Sequence, residues 1–259
     1  MTIYSKTGVP GHFSVGASDG TVENVWGYLP WAHLRQDAAT TAQASCRDKM
    51  TPSQIKTFYS RLAAANPSPT SELEYVNPYT LLVAVVLSAQ ATDVGVNKAT
   101  RDLFTQVQNP AAMLELGEEG LIRHIRTIGL FKTKARNVIA LSSQLIAHHG
   151  GEVPDDREAL EALPGVGRKT ANVVLNVIFG HPTIAVDTHC FRVGNRTGIA
   201  PGKTPEQVEE KLVRVTPSEF ALHAHHWLIL HGRHVCKARK PECGRCVVRD
   251  VCAYEAKEE

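Results

Sequence analysis

Three groups of residues in this 259-residue chain have types and spacings that could do chemistry. The first is Cys236, Cys243, Cys246 and Cys252, spaced C-x6-C-x2-C-x5-C, while Cys46 and Cys190 stand alone. In a chain with no visible secretory signal, such crowding points to metal rather than to disulfides. Four thiolates can hold Zn²⁺ tetrahedrally, although zinc modules usually show two close pairs and here only Cys243 and Cys246 form one. They suit an iron–sulfur cluster as well. The second group is Leu163-Pro-Gly-Val-Gly-Arg-Lys-Thr-Ala. Glycines at 165 and 167 permit positive φ and a tight turn, and they leave bare N–H groups at the start of the next helix, an anion site aided by the helix dipole. Lys169 lies just inside that helix. The positive dipole end, with partial burial, is expected to depress its pKa and free the amine to attack carbon. A lysine that only grips phosphate is the alternative, and the hairpin alone leaves both open. The third group is Asp187 within Thr183-Ile-Ala-Val-Asp-Thr-His. Before a helix, capping is the commoner role for an aspartate.

Helices must position these residues. Ile55, Phe58, Tyr59 and Leu62 recur at helical spacing after Pro52, and Asn66-Pro-Ser-Pro ends that element. Further helices are expected from Pro78 through Gln90, over Thr92–Leu103, Ala111–Leu116, Glu118–Ile125, Lys132–His149 and Glu158–Ala162, then Glu206–Val213 and His223–His234. Asn172–Phe179 carries the valines and isoleucine of a strand. It reads as helix because Ala171, Val174, Leu175 and Ile178 share one face and Gly180 suits a C-terminal stop. With no glycine-punctuated alternating series and no repeat of solenoid length, the fold class is all-α.

Composition bounds the function classes. The chain is 43% hydrophobic and 21% charged, as ordinary globular proteins are. No apolar run approaches the roughly 18 residues of a membrane span, so a cytoplasmic protein is expected, nucleoid-associated if bacterial. A net charge of +2 is weak for a nucleic-acid binder. The local run Lys237, Arg239, Lys240, Arg245 and Arg249, opposed by Glu242 alone, is a solvated face by itself and a phosphate-neutralising surface beside a DNA-binding motif. Residues 1–49 are polar and their charges cancel, so they are expected to be disordered or loosely docked, with Tyr28, Leu29, Trp31 and Leu34 able to form one turn and Met50 as the natural start.

The string L-P-G-V-G-R-K-T-A, followed eighteen residues after Lys169 by V-D-T-H, resembles the signature of the helix-hairpin-helix DNA glycosylases. Leu87-Ser-Ala-Gln-Ala-Thr-Asp-Val-Gly-Val-Asn-Lys-Ala-Thr resembles their second diagnostic run. From about Met50 to the C-terminus the chain is similar to the endonuclease III family. That resemblance implies two helical lobes around a central cleft: a barrel at 71–181 bearing the hairpin (about 156–180), and a second lobe of 50–70 with 182–259. It implies a [4Fe–4S] cluster on Cys236, Cys243, Cys246 and Cys252, pinning the basic loop of Lys237 and Arg239 against DNA. It implies Lys169 as nucleophile toward C1′ of a damaged nucleotide and Asp187 as its assistant. Gly165, Gly167 and Arg168 are then expected at a DNA phosphate, Gln90 in the gap left by a flipped base, Leu130 as a wedge, His189 contacting DNA or orienting the aspartate loop, and Asp93 near the cleft. The implied activity is base-excision repair by a bifunctional glycosylase and abasic-site lyase, acting as a monomer on double-stranded DNA with damaged pyrimidines or abasic sites.

Two rivals remain at this level. A glycosylase for mispaired adenine carries the same kind of cluster but lacks the hairpin lysine and adds a C-terminal recognition domain, whereas Lys169 is present here and the chain ends seven residues after Cys252. A non-catalytic DNA-binding module would have no need of Asp187.

Overall fold

A computed structural model describes residues 50–257; the readings of residues 1–49 lie outside them. Among the described residues there are eleven α-helices and no strand: α1 (Pro52–Ala65), α2 (Pro78–Ser88), α3 (Asp93–Thr100), α4 (Leu103–Gln106), α5 (Pro110–Ile125), α6 (Phe131–His149), α7 (Arg157–Glu161), α8 (Arg168–Phe179), α9 (Thr188–Thr197), α10 (Pro205–Val215) and α11 (Ala221–His234). One device starts four of them. A side-chain cap is followed by proline at Thr51-Pro52, Asn77-Pro78, Asn109-Pro110 and Thr204-Pro205. The cap oxygen fills an orphan N–H, and proline forgoes a donor that would have had no partner.

The buried apolar residues form two clusters. One runs from Leu73 to Leu175, and α2 passes through it with every residue from Tyr79 to Leu87 buried. A helix apolar all round belongs inside a domain, and α2 packs against α3, α6 and α8. The other joins Met50–Leu62 to Ile184–Val248, with α9 between α10 and α11 and α1 against α11. The described residues therefore begin in the second core, build the first, and re-enter the second just before Asp187.

Local differences from the sequence reading have physical causes. The expected helix over Thr92–Leu103 is two, α3 and α4, turning at Arg101-Asp102 so that Leu103 and Phe104 are buried. The two short helices expected over Ala111–Leu116 and Glu118–Ile125 are both present, as the two arms of α5 on either side of Gly117, whose backbone is non-helical (φ 70°, ψ 171°). Helix α9 was read only at its start: it is polar on average, although Cys190, Val193, Gly194 and Thr197 make one buried face, and Gly194 lets it close on α10, since a Cβ there would lie 3.0 Å from a Val208 methyl. No described helix is long and apolar enough to cross a membrane.

Candidate active site and cluster loop

Lys169 is the second residue of α8, and Asp187 is the cap of α9. Two asparagines four residues apart on α8 sew these helices together. Asn172 Nδ2 donates to the Ile184 carbonyl (3.4 Å) and to Glu209 (3.2 Å), while Thr183 Oγ1 donates to the Asn172 carbonyl (2.6 Å). Asn176 Nδ2 reaches the carbonyls of His181 (2.9 Å), Thr183 (3.3 Å) and Leu222 (3.0 Å). From the other side, the Ala185 N–H donates to buried His225 Nδ1 at 3.2 Å. Burial pushes the His225 imidazole down to about 3, so it stays neutral and can accept. The segment leading to Asp187 is thus clamped between α8 and α11, which fixes the carboxylate relative to Lys169.

Asp187 does cap its helix: Oδ1 accepts from the N–H groups of His189 (2.9 Å) and Cys190 (2.8 Å). Both bonds fall on one oxygen, so Oδ2 is left for chemistry. Cap and catalytic roles are compatible, because one oxygen anchors the other. Lys169 is exposed, against the partial burial expected. Asp93, half-buried, lies within electrostatic reach of Lys169, Asp187 and His189. Burial and the neighbouring Asp187 push its carboxyl up; Lys169, and the Arg233 guanidinium at 2.7 Å, act to keep it charged. Arg233 also pairs with Glu72. His189 Nδ1 is 3.2 Å from Arg192 Nη2, behind the Asp187 cap.

The two hairpin glycines differ. Gly165 has φ +80°, and a Cβ there would meet Asn137 Nδ2 at 2.8 Å. Gly167 is extended (φ −102°) and caps α8 with no side chain, and a Cβ added there would have nothing within 4 Å. Positive φ is therefore needed once, not twice, and openness at Gly167 leaves the first N–H groups of α8 accessible to an anion. Arg168, expected at DNA, is engaged by Glu209 through Nε (3.1 Å to each oxygen) and Nη2 (2.9 Å). Glu209 side-chain exposure is only 11%, so the guanidinium is needed there.

Gln90 (φ 55°) and Leu130 (φ 58°) are the only non-glycine residues with positive φ among those described. Left-handed backbone costs an L-residue about 1–2 kcal/mol, and such strain tends to gather at functional sites. Both are exposed, Leu130 to 59%. Their loops touch: a Cβ on Gly129 would sit 3.8 Å from the Gln90 carbonyl.

Cys236, Cys243, Cys246 and Cys252 line one small cavity, with Arg196, Arg249 and Lys257 on its wall. All four are free of disulfides. Among the described residues no three His, Cys, Asp or Glu side chains are placed to hold a single metal ion. Sulfurs ranged around a cavity suit a polynuclear cluster better than Zn²⁺, which needs them at about 2.3 Å from one point. Burial and the neighbouring thiols push Cys246 and Cys252 up, while N–H donors at Val248 and Tyr254 oppose this. Four thiolates here therefore call for a cationic centre. The loop hangs from α9: Arg192 Nε donates to the Cys236 carbonyl (3.0 Å), and Arg196 donates to the carbonyls of Lys237 (2.6 Å) and Ala238 (3.0 Å). Lys237 is paired with Glu242, whereas Arg239 and Lys240 are exposed and form no ion pair among the described residues.

Sequence reasoning passed over Asn172, Asn176, Glu209, Arg233, Arg192 and Arg196. A signal existed for the asparagines, which stand four apart on the apolar face of α8.

Residues 83–218 match the family described as HhH-GPD superfamily base excision DNA repair protein, and 236–252 match the iron–sulfur binding domain of endonuclease III. Endonuclease III of Escherichia coli K12 is 63% identical over 197 residues, covering 76% of this chain and 93% of that protein. The Haemophilus influenzae enzyme is 62% identical over 199 residues, covering 77% and 94%. Among solved structures, a trapped endonuclease III–DNA covalent intermediate superposes with a TM-score of 0.73 at 45% identity, covering 78% of this chain and 96% of that one. A thermostable thymine-DNA glycosylase gives 0.70 at 25% identity, covering 78% and 96%. Two family matches spanning hairpin and cysteine loop, with this identity over nearly the whole of the relatives, make the chain a member of the endonuclease III family of helix-hairpin-helix base-excision repair proteins.

Proposed function

We propose that Lys169 is the nucleophile and Asp187 the assisting carboxylate of a DNA glycosylase and abasic-site lyase acting in base-excision repair. The observation that carries this assignment is the double anchoring of the segment before Asp187, which fixes a carboxylate oxygen that takes no capping bond, while exposed Lys169 and Asp187 both lie within electrostatic reach of Asp93. As the glycosidic bond breaks, positive charge builds on the sugar, and Asp187 Oδ2 stabilises it. The same carboxylate draws the proton from Lys169. Lys169 Nζ bonds to C1′, the base leaves with the glycosidic electron pair, and ring opening gives a protonated Schiff base. That electron sink acidifies C2′. Loss of its proton to a base expels the 3′ phosphate oxygen, cutting the strand 3′ to the lesion.

The family binds DNA, and the bare N–H groups of α8 at Gly167 support a backbone phosphate there without sequence reading. The strained, touching loops of Gln90 and Leu130 support the reading that they fill the gap and wedge the stack when a base is flipped. Cys236, Cys243, Cys246 and Cys252 would hold the [4Fe–4S] cluster; when bound, it supplies a rigid anchor for the exposed basic loop at Arg239 and Lys240. The two apolar cores support division of the described chain into 71–181 and 50–70 with 182–257, with the site between them. Substrates are oxidised or ring-saturated pyrimidines and abasic sites in duplex DNA, and the enzyme works as a monomer in the cytoplasm.

Borohydride trapping on a duplex with one abasic site or thymine glycol tests the assignment. Wild type is expected to form a covalent adduct and Lys169→Ala none, with strand cleavage reduced on the order of 10³-fold or more. An undiminished adduct in Lys169→Ala would move the Schiff base to another amine.

A further inference from the structure

His231 belongs to none of the roles above, yet it touches the cluster loop twice. Its carbonyl accepts the Cys236 N–H at 2.7 Å, and its ring Nε2 lies 3.8 Å from Cys246 Sγ. The side chain has little room to move: the residue is 6% exposed, and Phe58 packs edge-on against the ring at 6.2 Å and 77°. It is also a shared wall. It lines both the cysteine-lined cavity and an open groove formed with Leu62, Trp227, Leu230 and Val247. We propose that His231 donates a hydrogen bond from Nε2 to the cluster ligand Cys246 and thereby raises the cluster's reduction potential.

The argument rests on the reading that the four cysteines hold the cluster. A sulfur bonded to iron as thiolate carries no proton. The contact is then attractive only if the hydrogen sits on Nε2, which fixes the imidazole as donor. Donation withdraws electron density from the sulfur and stabilises the reduced cluster, since hydrogen bonds to sulfur and solvent access are the levers a protein has on such potentials. His231 works on the first of these: it supplies the donor.

The test compares wild type, His231→Leu and His231→Gln as full chains. Iron and sulfide content are measured first, then the midpoint potential of the one-electron couple, the electron being exchanged with an electrode. Leucine fills the space without a donor, and glutamine can place an N–H near Nε2. The expected result is a lower potential for His231→Leu, with the oxidised-to-reduced ratio at fixed potential rising roughly tenfold, which is 59 mV for one electron. His231→Gln should stay near wild type. A His231→Leu potential equal to wild type overturns the proposal, and so does an equal shift in both variants, which would assign the effect to packing or solvent. Should His231→Leu fail to load or fold, wild-type protein with histidine labelled with ¹⁵N at Nε2 decides by electron–nuclear double resonance: a ring-nitrogen coupling to the paramagnetic cluster supports the bond, and none overturns it. Wild type free of iron and sulfide would instead remove the cysteine assignment itself, a failure seen before any potential is read.

Discussion

The two cores hold their reactive residues by opposite means. Around α2 the chain relies on uninterrupted apolar packing: nine consecutive residues from Tyr79 to Leu87 are buried, and the hairpin bearing Lys169 is braced against that core through Leu163, Val166 and Ala171. The second core is smaller and depends on polar fasteners. Arg192 and Arg196 hang the cysteine loop from α9, His225 holds the lead into Asp187, and Arg233 reaches across to Glu72 and Asp93. Apolar packing tolerates change in solution conditions, whereas fasteners of this kind are sensitive to ligand loss and protonation. The half of the molecule carrying Asp187 should therefore fail first.

Loss of the cluster gives the largest expected effect. Residues 236–252 contain no helix longer than the turn Cys243–Arg245, so without the cluster only the arginine bonds, a few turn bonds and the burial of Val248 would order them. In Cys243→Ser, hydrogen exchange of amides in 236–252 should accelerate by roughly 100-fold or more, while amides of α2 and α6 change little. Uniform loss of protection across both cores would show that they unfold as one unit and that the contrast between them is false.

Acid separates the cores next. Among the described residues both buried histidines, His225 and His231, lie in the second. Burial lowers the His225 pKa from 6.5 to about 3, so the unfolded chain takes up its proton first. The stabilisation is complete above pH 6.5 and is lost as pH falls toward 3, reaching about 3 kcal/mol of loss from this group at pH 4. Urea unfolding of wild type and His225→Gln between pH 6.5 and 4 checks the sign. The variant should start less stable and show the shallower decline. Parallel declines would place the acid sensitivity in the carboxylates instead.

What was legible in the sequence follows the same divide. Periodicity revealed α1, α2, the two arms of α5 and α10, and the cap–proline pairs at their starts show why local signals and tertiary roles agree there. Helix α8 could be separated from a strand because its apolar face and Gly180 outweighed its β-branched residues. The candidate site's residue types were legible too, the cysteine loop by its crowding, and Lys169 and Asp187 through the family resemblance. Partnership was not. Nothing in the neighbourhood of Arg168 points to Glu209, forty-one positions away, and a lysine's position in the chain does not disclose that it is exposed. Asp187 was weighed as a cap or a catalytic group, and only three-dimensional geometry reveals that both capping bonds fall on Oδ1, so that capping does not occupy Oδ2.

The hairpin offers a sharper contrast within the first core. Gly165→Ala forces an L-residue into φ +80° and against Asn137, and should destabilise by about 2 kcal/mol. Gly167→Ala meets no atom and should cost less than about 1 kcal/mol, the usual range for an N-cap change. Its effect belongs in binding: a methyl over the bare N–H groups of α8 should weaken duplex affinity roughly tenfold, with a smaller loss for Gly165→Ala once folded. Thermal unfolding and fluorescence anisotropy on the same two proteins decide it. The reverse pattern would make Gly167 the structural glycine.

The smallest effect on stability is expected at Leu130, and its sign is the informative part. A leucine in left-handed backbone costs about 1 kcal/mol, and at 59% exposure its side chain contributes little packing in return. Glycine relieves the strain but loosens the unfolded chain by a similar amount. Leu130→Gly should therefore match or slightly exceed wild type in thermal stability, while excision of thymine glycol falls roughly tenfold because nothing occupies the stack when the base is extruded. Gln90→Gly should behave in the same way at its touching loop. A drop of about 2 kcal/mol in either variant with excision intact would mean that the strained residue supports the core, and the strain at these two positions would need a structural cause instead of a functional one.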